Sequence, residues 1–320
     1  MARFVNLLPV LRFDRCDVFV DEGANLGGGL AGAGAGLEVH GCPRGMMACS
    51  ERGRAASYAR RPMHTNDICA SPTIHPANAM TPAVPDLSVA IPAHNEAKYI
   101  GRAIESVLAS AQRSGHTAEV CVALNRCTDA TQAIAESLGA RCVDEPRKCI
   151  AAVRNAAVRA GRSPVVVTLD ADSWMRPGTV AAVLRKVHDP RWVGGGAWMT
   201  PERWSLGIVA TGFVVARHVP DFRISAGMFW CQREVFDTLG GFDESLVSVE
   251  DLHFAYRMKA LGLQRGQRYG TVWRDGIITS CRKFDTFGDW YLVRHPDLVR
   301  RIFEGHDQAA TNLYYYDVDR

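Results

Sequence analysis

Two aspartates, Asp170 and Asp172, stand two residues apart at the end of the apolar run Val165-Val-Val-Thr-Leu169. In a continuing strand, side chains i and i+2 share a face, which would set these carboxylates about 6.5 Å apart. At an effective dielectric near 20, two such charges repel by roughly 2–3 kcal/mol. A divalent cation turns that repulsion into a ligand set, and hard oxygen donors suit Mg²⁺ or Mn²⁺. The plainer alternative is a pair of solvated loop acids after a strand. A second acidic pair, Glu250 and Asp251, opens a helical segment in the distal half of the chain. Acids in the first turn of a helix are favoured by its dipole, so simple capping would also explain them. Opposite a metal site, the same pair could supply a general base, a role that contributes on the order of 10²–10⁴ in rate.

The elements that must position these acids alternate along the chain. Residues 87–91, 120–124, 142–143 and 165–169 are short apolar runs that read as strands. Between them, helical patterns run over about 97–111, 130–138 and 149–160. Near-continuous apolar strands separated by amphipathic helices predict a parallel sheet covered on both faces. Ligands on such sheets bind outside the carboxyl ends of the strands. Asp170 and Asp172 lie at such an end, as do the polar clusters 92–96 and 125–129. Three polar clusters at one sheet edge argue for a site more strongly than one. Further on, residues 226–231 form a strand candidate and 232–239 a short helix. Gly240-Gly-Phe-Asp-Glu244 then makes a turn with a buried aromatic, and a helix from Val249 to near Gly262 carries Arg257.

Composition bounds the rest. The chain has 320 residues, 47% hydrophobic and 22% charged, which is ordinary for a globular protein with ample core. Its net charge of +3 is too small to argue for nucleic acid, and no basic block interleaves with aromatics. No apolar run reaches the length of a membrane span. The short run 4–11 is closed by Arg12, unlike a signal peptide. Ten cysteines without CxxC pairs argue against a zinc module and for free thiols in a reducing cytoplasm.

Residues 1–85 differ from the remainder. A Gly/Ala-rich run over 23–36 precedes a stretch rich in Arg, Pro, Ser and Thr, which reads as a weakly ordered leader. Gly27, Gly29 and Gly32 satisfy a dinucleotide-type G-x-G-x-x-G, but the helix that must follow would be an Ala-Gly repeat, a poor helix former. Met80 sits just before the patterned region, so translation is expected to begin there or at Met63. Residues 1–85 would then stand outside the working protein, with 86–320 as a single domain.

Taken together, several motifs resemble the family 2 glycosyltransferases, which have the GT-A fold. Leu87-Ser-Val-Ala-Ile-Pro-Ala-His-Asn-Glu96 is similar to that family's opening strand and loop, and Asn125-Arg-Cys-Thr-Asp-Ala-Thr131 to its second-strand loop. Arg154-Asn155 resembles its Ala-Arg-Asn element, and Asp170-Ala-Asp172 its DXD motif. Gly240-Gly-Phe-Asp-Glu244, followed by Glu250-Asp251 and Arg257, resembles its acceptor-side and Glu-Asp elements. Each motif is moderately specific; five in the family's order, over about residues 86–301, are strong.

The resemblance implies an α/β GT-A fold. A mostly parallel nucleotide-binding sheet flanked by helices would occupy about 86–175, with a smaller acceptor-side portion over about 176–305. It also implies a nucleotide-diphospho-sugar donor, a divalent cation (Mg²⁺ or Mn²⁺) and an inverting transfer to an acceptor hydroxyl. Asp172 would be the leading metal ligand, with Asp170 meeting the ribose or assisting the cation through water. Asp251 would take the hydroxyl proton, positioned by Glu250 and Arg257. Pro92, Ala93, Asn95, Glu96 and Asn125 would line the donor pocket. Arg154 and Lys148 would neutralise phosphate, although an exposed cation on a helix is as readily a solvated one. Arg257 suits a structural salt bridge equally well.

Two departures qualify these expectations. Many members carry acidic residues after the second strand that contact the base; here the place reads Leu124-Asn125, which leaves uridine preference open. Many also supply a late histidine to the metal, whereas Ile277-Ile-Thr-Ser-Cys-Arg-Lys283 has none. Arg282 and Lys283 could clamp the diphosphate instead, which loosens the expectation of strict metal dependence. His94, His253 and His295 are lone histidines, more often packing or surface residues than ligands. Among the tryptophans, Trp174, Trp198, Trp204 and Trp273 are expected in the core, leaving Trp230 as a candidate acceptor platform. Residues 289–303 and 314–316 read as a packing tail. A nucleotidyltransferase is the nearest rival, disfavoured because residues 92–96 hold no glycine. A non-catalytic nucleotide-binding module is the other, opposed by the intact Asp170, Asp172, Glu250 and Asp251. The acceptor would be soluble, or reached at a membrane surface by a peripheral enzyme.

Overall fold

Strand β1 (Leu87–Ala93) is buried along its whole length, as its unbroken apolar run requires when both faces of a sheet are covered. After it come α1 (Ile100–Arg113), β2 (Ala118–Leu124), α2 (Thr131–Ser137), β3 (Arg141–Asp144), α3 (Ile150–Ala160) and β4 (Val165–Thr168). These elements follow the expected alternation to within a few residues. β1 pairs in parallel with both β2 and β4, and β2 with β3. The computed structural model describes residues 83–219, 224–225, 227–305, 307 and 309, within one unit spanning Thr81–Arg320. The expected leader up to residue 82, its glycine pattern, the two candidate start methionines and residues 314–316 lie outside the described residues.

The second half adds β5 (Ser173–Met175), α4 (Thr179–Val187), β6 (Trp192–Pro201), α5 (Leu206–Ala216), β7 (Phe229–Gln232), α6 (Arg233–Thr238), α7 (Glu250–Gln264) and β8 (Arg268–Thr279). Three short helices follow: α8 (Arg282–Phe287), α9 (Tyr291–Arg294) and α10 (Pro296–Phe303). All eight strands form one sheet in the order β3-β2-β1-β4-β7-β6-β8-β5. β7 runs antiparallel to β4 and β6, and β5 antiparallel to β8, while β6 and β8 are parallel. The expected α/β architecture is therefore present, parallel through its first four strands and mixed beyond them. β6 gives little strand signal because it contains Gly194, Gly195 and Gly196. The packing explains them: a Cβ on Gly195 would lie 1.8 Å from the Gly270 carbonyl oxygen of β8.

Alternating strand side chains feed two cores. Val89, Ile91 and Val122 pack with Ile104 and Val183 of α1 and α4 on one face. Ala90 and Val166 pack with α3, α6 and α7 on the other, around Phe229, Phe236, Phe242 and Phe254. The Phe242 and Phe254 rings stack at 4.4 Å between centroids. Leu292, Leu298, Val299 and Ile302 of α9 and α10 cluster against Val214 of α5, so residues 289–303 do pack back on the domain. Among the described residues, no helix is long and apolar enough to cross a membrane.

Candidate active site

β4 stops at Thr168, so Asp170 and Asp172 sit in a turn in which the Ser173 N–H donates to the Asp170 carbonyl at 3.0 Å. They do not share a strand face, as simple alternation predicted, and each has its own partner. Asp172 Oδ2 lies 2.8 Å from Arg282 Nε, and Arg282 Nη1 in turn lies 2.6 Å from Glu96 Oε2. Ser280 fixes the same aspartate from the end of β8, its N–H donating to the Asp172 carbonyl at 2.9 Å. Its hydroxyl donates to Oδ2 at 3.3 Å. Asp170 Oδ1 lies 2.7 Å from Arg154 Nη1.

Arg154 joins the two acid pairs. It projects from the buried side of α3, and its Nε donates to Glu250 Oε1 at 3.2 Å. Burial opposes its charge, but Asp170, Glu250 and Asp251 outweigh burial and raise the guanidinium pKa. Burial first, then the Asp251 charge, pushes Glu250 up to about 7 against the pull of Arg154. Burial likewise raises Asp251, with Arg154 opposing. Asp251 is the more open of the two acids: Glu250 is 6% exposed and Asp251 only partly buried.

The loop before α7 aims this pair. Val249 has φ +54°, a left-handed conformation that a β-branched residue seldom adopts and that costs about 1–3 kcal/mol. The loop is held from α10: the Val247 N–H donates to the Gly305 carbonyl at 3.2 Å and the Ser248 hydroxyl to the Ile302 carbonyl at 2.8 Å. Asn155, next to Arg154, docks the Gly240–Glu244 turn. Its Nδ2 donates to the Phe242 carbonyl and its Oδ1 accepts the Phe242 N–H, at 2.9 and 2.8 Å. Gly241 is required there, since its φ is +74° and a Cβ would sit 2.6 Å from Asn155 Oδ1. Arg257 seals the same turn by donating to the Leu239 and Gly241 carbonyls at 2.6 and 2.5 Å.

These elements enclose a pocket of about 480 Å³, in the range of small-molecule sites. Pro92, Ala93, His94, Glu96 and Asn125 line one side, from the carboxyl ends of β1 and β2. Asp170, Asp172, Arg154, Glu250, Asp251, Arg282 and Lys283 line the remainder of its polar wall. Both acidic pairs thus open onto the same cavity. Two carboxylates completed by substrate phosphates are a common Mg²⁺ donor set, and Asp170 with Asp172 provides that many. Among the described residues, no group of three or more His, Cys, Asp and Glu side chains forms a cage. Asp170 and Asp172 would suit a cation whose remaining ligands come from a phosphorylated molecule.

Residues 88–238 match the family model described as Glycosyl transferase family 2. The match to family 2 glycosyltransferases thus takes in β1 to α6 and stops before α7. No curated protein matches the sequence. Similar solved structures include Staphylococcus aureus TarS, 16% identical over 72% of this chain and 42% of that one, with a TM-score of 0.47. A TarS 1–349 complex with UDP-GlcNAc is 16% identical over 72% of this chain and 71% of that one, also at 0.47. The mannosyltransferase PcManGT from Pyrobaculum calidifontis, solved with GDP-Man and Mn²⁺, is 18% identical over 69% and 62%, with a TM-score of 0.49. This chain thus spans less than half the length of that first TarS chain.

Several side chains lie elsewhere than expected. Trp230 is fully buried with Nε1 donating to the Gly196 carbonyl at 2.9 Å, so it is core and presents no platform. Trp198, Trp204 and Trp273, expected inside, are 48%, 65% and 58% exposed. Asn95 does not line the pocket; its Oδ1 accepts the Thr128 N–H at 2.8 Å and ties the loop after β1 to that after β2. Lys148 is exposed outside the pocket, and Arg257 also lies outside it, on the turn carbonyls. Asn125 reaches the pocket, but its Nδ2 is committed to the Glu145 and Arg147 carbonyls at 2.6 and 2.7 Å. Arg154 is not a solvated cation on a helix but a buried bridge between carboxylates. Sequence reasoning missed Ser280, whose sole signal is its place two residues before Arg282. It also missed the apolar wall formed by Val215, Val219, Leu252, Ile302 and Phe303.

Proposed function

We propose that this glycosyltransferase moves a sugar from a nucleotide-diphospho-sugar to an acceptor hydroxyl with inversion at the anomeric carbon. The observation supporting this reading is that a donor-side pair, Asp170 and Asp172, and a separate pair, Glu250 and Asp251, line one pocket. In a single displacement, Asp251 takes the proton from the acceptor hydroxyl as its oxygen bonds to the anomeric carbon. The bond from that carbon to the diphosphate oxygen breaks, and the leaving nucleoside diphosphate keeps the electron pair. The Arg154 charge favours Asp251 as the carboxylate that can take this proton. Arg282 and Lys283, which line the pocket, would offset charge on the departing diphosphate. Asp172, with Asp170, would hold Mg²⁺ or Mn²⁺, which when bound supplies Lewis-acid neutralisation of that diphosphate. The free thiols of the described cysteines agree with a cytoplasmic setting.

Incubation with a panel of uridine, guanosine and thymidine diphospho-sugars plus Mn²⁺ tests this reading. Release of nucleoside diphosphate from at least one donor is expected, because transferases leak some hydrolysis to water. Binding of a donor without release would favour a non-catalytic binding module, and neither binding nor release across the panel would contradict the proposal.

A further inference from the structure

Among the described residues, the outer face of α5 is the most conspicuous exposed apolar surface. The helix Leu-Gly-Ile-Val-Ala-Thr-Gly-Phe-Val-Val-Ala carries no charge. Gly207, Ile208 and Thr211 face inward and are buried, whereas Leu206, Val209 and Phe213 are 81%, 40% and 72% exposed. A helix on a water-facing surface turns polar residues outward; this one does not. At about 16 Å long it is too short to span a bilayer core of about 30 Å, but it can lie in the interface.

The surroundings of this face have the chemistry of an interfacial zone. Trp204, one residue before the Ser205 cap, and Trp290 are both exposed. Trp290 borders the helix because its neighbour Asp289 packs on Gly207 and accepts the Thr211 hydroxyl at 3.2 Å. Indole rings concentrate where apolar and polar phases meet. Exposed Arg217 follows the last residue of α5, and exposed Arg294 closes α9, which packs on α5. Asp285 and Asp289, the acids of segment 282–294, are held by Arg203 at 2.7 and 2.8 Å. Arg203 offsets one of these two carboxylates, so with exposed Arg217 and Arg294 this part of the rim carries a small net positive charge, which complements an anionic surface. The opposite, inward stripe of α5 reaches the pocket: Val215, seven residues after buried Ile208, and Val219 beyond the helix line it beside Leu252 and Ile302. An apolar wall near Glu250 and Asp251 suits a hydroxyl carried on an apolar chain better than a free sugar.

We infer that α5 docks the protein on an anionic lipid bilayer through Leu206, Val209 and Phe213, holding the pocket, whose apolar wall includes Val215 and Val219 from the other side of the helix, near a lipid-borne acceptor hydroxyl. The acceptor class rests on the glycosyltransferase reading above; the docking does not. Co-sedimentation of the full chain with phosphatidylcholine/phosphatidylglycerol vesicles tests it, using the variant Leu206→Glu/Phe213→Gln and, separately, Asp251→Asn. The wild type and Asp251→Asn should pellet with the vesicles. Leu206→Glu/Phe213→Gln should bind at least about tenfold more weakly, since two exposed apolar anchors are lost, while its donor hydrolysis is unchanged. Vesicle binding that is absent in the wild type, or equal in the double variant, would overturn the inference. So would a wild-type dimer that the double variant makes monomeric without any vesicle binding, because the face would then seat a second copy. Failure of the transferase reading would show instead as no donor hydrolysis in a wild type that still binds vesicles.

Discussion

Arg154 is the side chain on which the electrostatics of the site turn. Its guanidinium touches Asp170 on the donor side and Glu250 on the other, and it opposes the burial that raises Glu250 and Asp251. A base must be ionised to accept a proton, so kcat/KM should rise with pH through the apparent pKa of the acid pair. Replacing Arg154 with Met removes the cation that favours the carboxylates, so this rise should move up by about one pH unit or more. Turnover at pH 7 would fall and partly recover at pH 9; an unmoved profile would exclude the bridging role. Stability carries the opposite pH sign. Glu250 is raised in the folded state, so it binds its proton over a window, from its ordinary value to about 7, in which the unfolded chain has lost it. Its contribution is fully present below that window and is lost as pH climbs through it. Denaturant melts of wild type and Glu250→Gln at pH 5 and 8 should therefore show the wild type losing stability relative to the variant at the higher pH. At this scale the acids were legible, because carboxylates after an apolar run and at a helix start stand out. Their partners were not: nothing in the types of Arg154 and Arg282 says that one is buried between Asp170 and Glu250 and the other between Glu96 and Asp172.

Strand ends and tight turns bring these residues together. The first four strands could be read because each is an apolar run bounded by polar loops, and their carboxyl ends place residues 92–96, 125 and 170–172 side by side. β6 and α5 escaped notice for opposite reasons. Three glycines in β6 hide a strand whose neighbours demand them, and the uniformly apolar α5 lacks the polar face that marks a surface helix. The Gly240–Glu244 turn reads in sequence as an acceptor-side element, yet its contacts are structural, with Asn155 and Arg257 gripping its backbone. Gly241→Ala should therefore destabilise the domain by about 2 kcal/mol or more, from the left-handed backbone and the clash with Asn155. Chemical denaturation would measure the loss; an unchanged midpoint would refute the docking role. Phe254→Ala removes a fully buried ring stacked on Phe242 and should cost about 3–5 kcal/mol.

At the scale of the whole molecule, the sheet divides the work. Its parallel half supplies the loops after β1, β2 and β4 and Arg154, and the mixed half supplies Glu250, Asp251 and Arg282. Fold class was legible because the alternation of strands and helices extends over the whole first half. The mixed half was less so, since long-range pairing such as that of β6 with β8 has no local signature. The central claim is that two acidic pairs on one pocket have separate duties. Donor affinity and turnover of Asp172→Ala and Asp251→Asn, measured side by side by titration calorimetry and steady-state kinetics with Mn²⁺ present, test it most directly. Asp251→Asn should bind donor as the wild type does while losing about 10² or more in kcat, and Asp172→Ala should bind donor more weakly. Unchanged donor binding in Asp172→Ala, or equal losses of binding and rate in Asp251→Asn, would contradict the account.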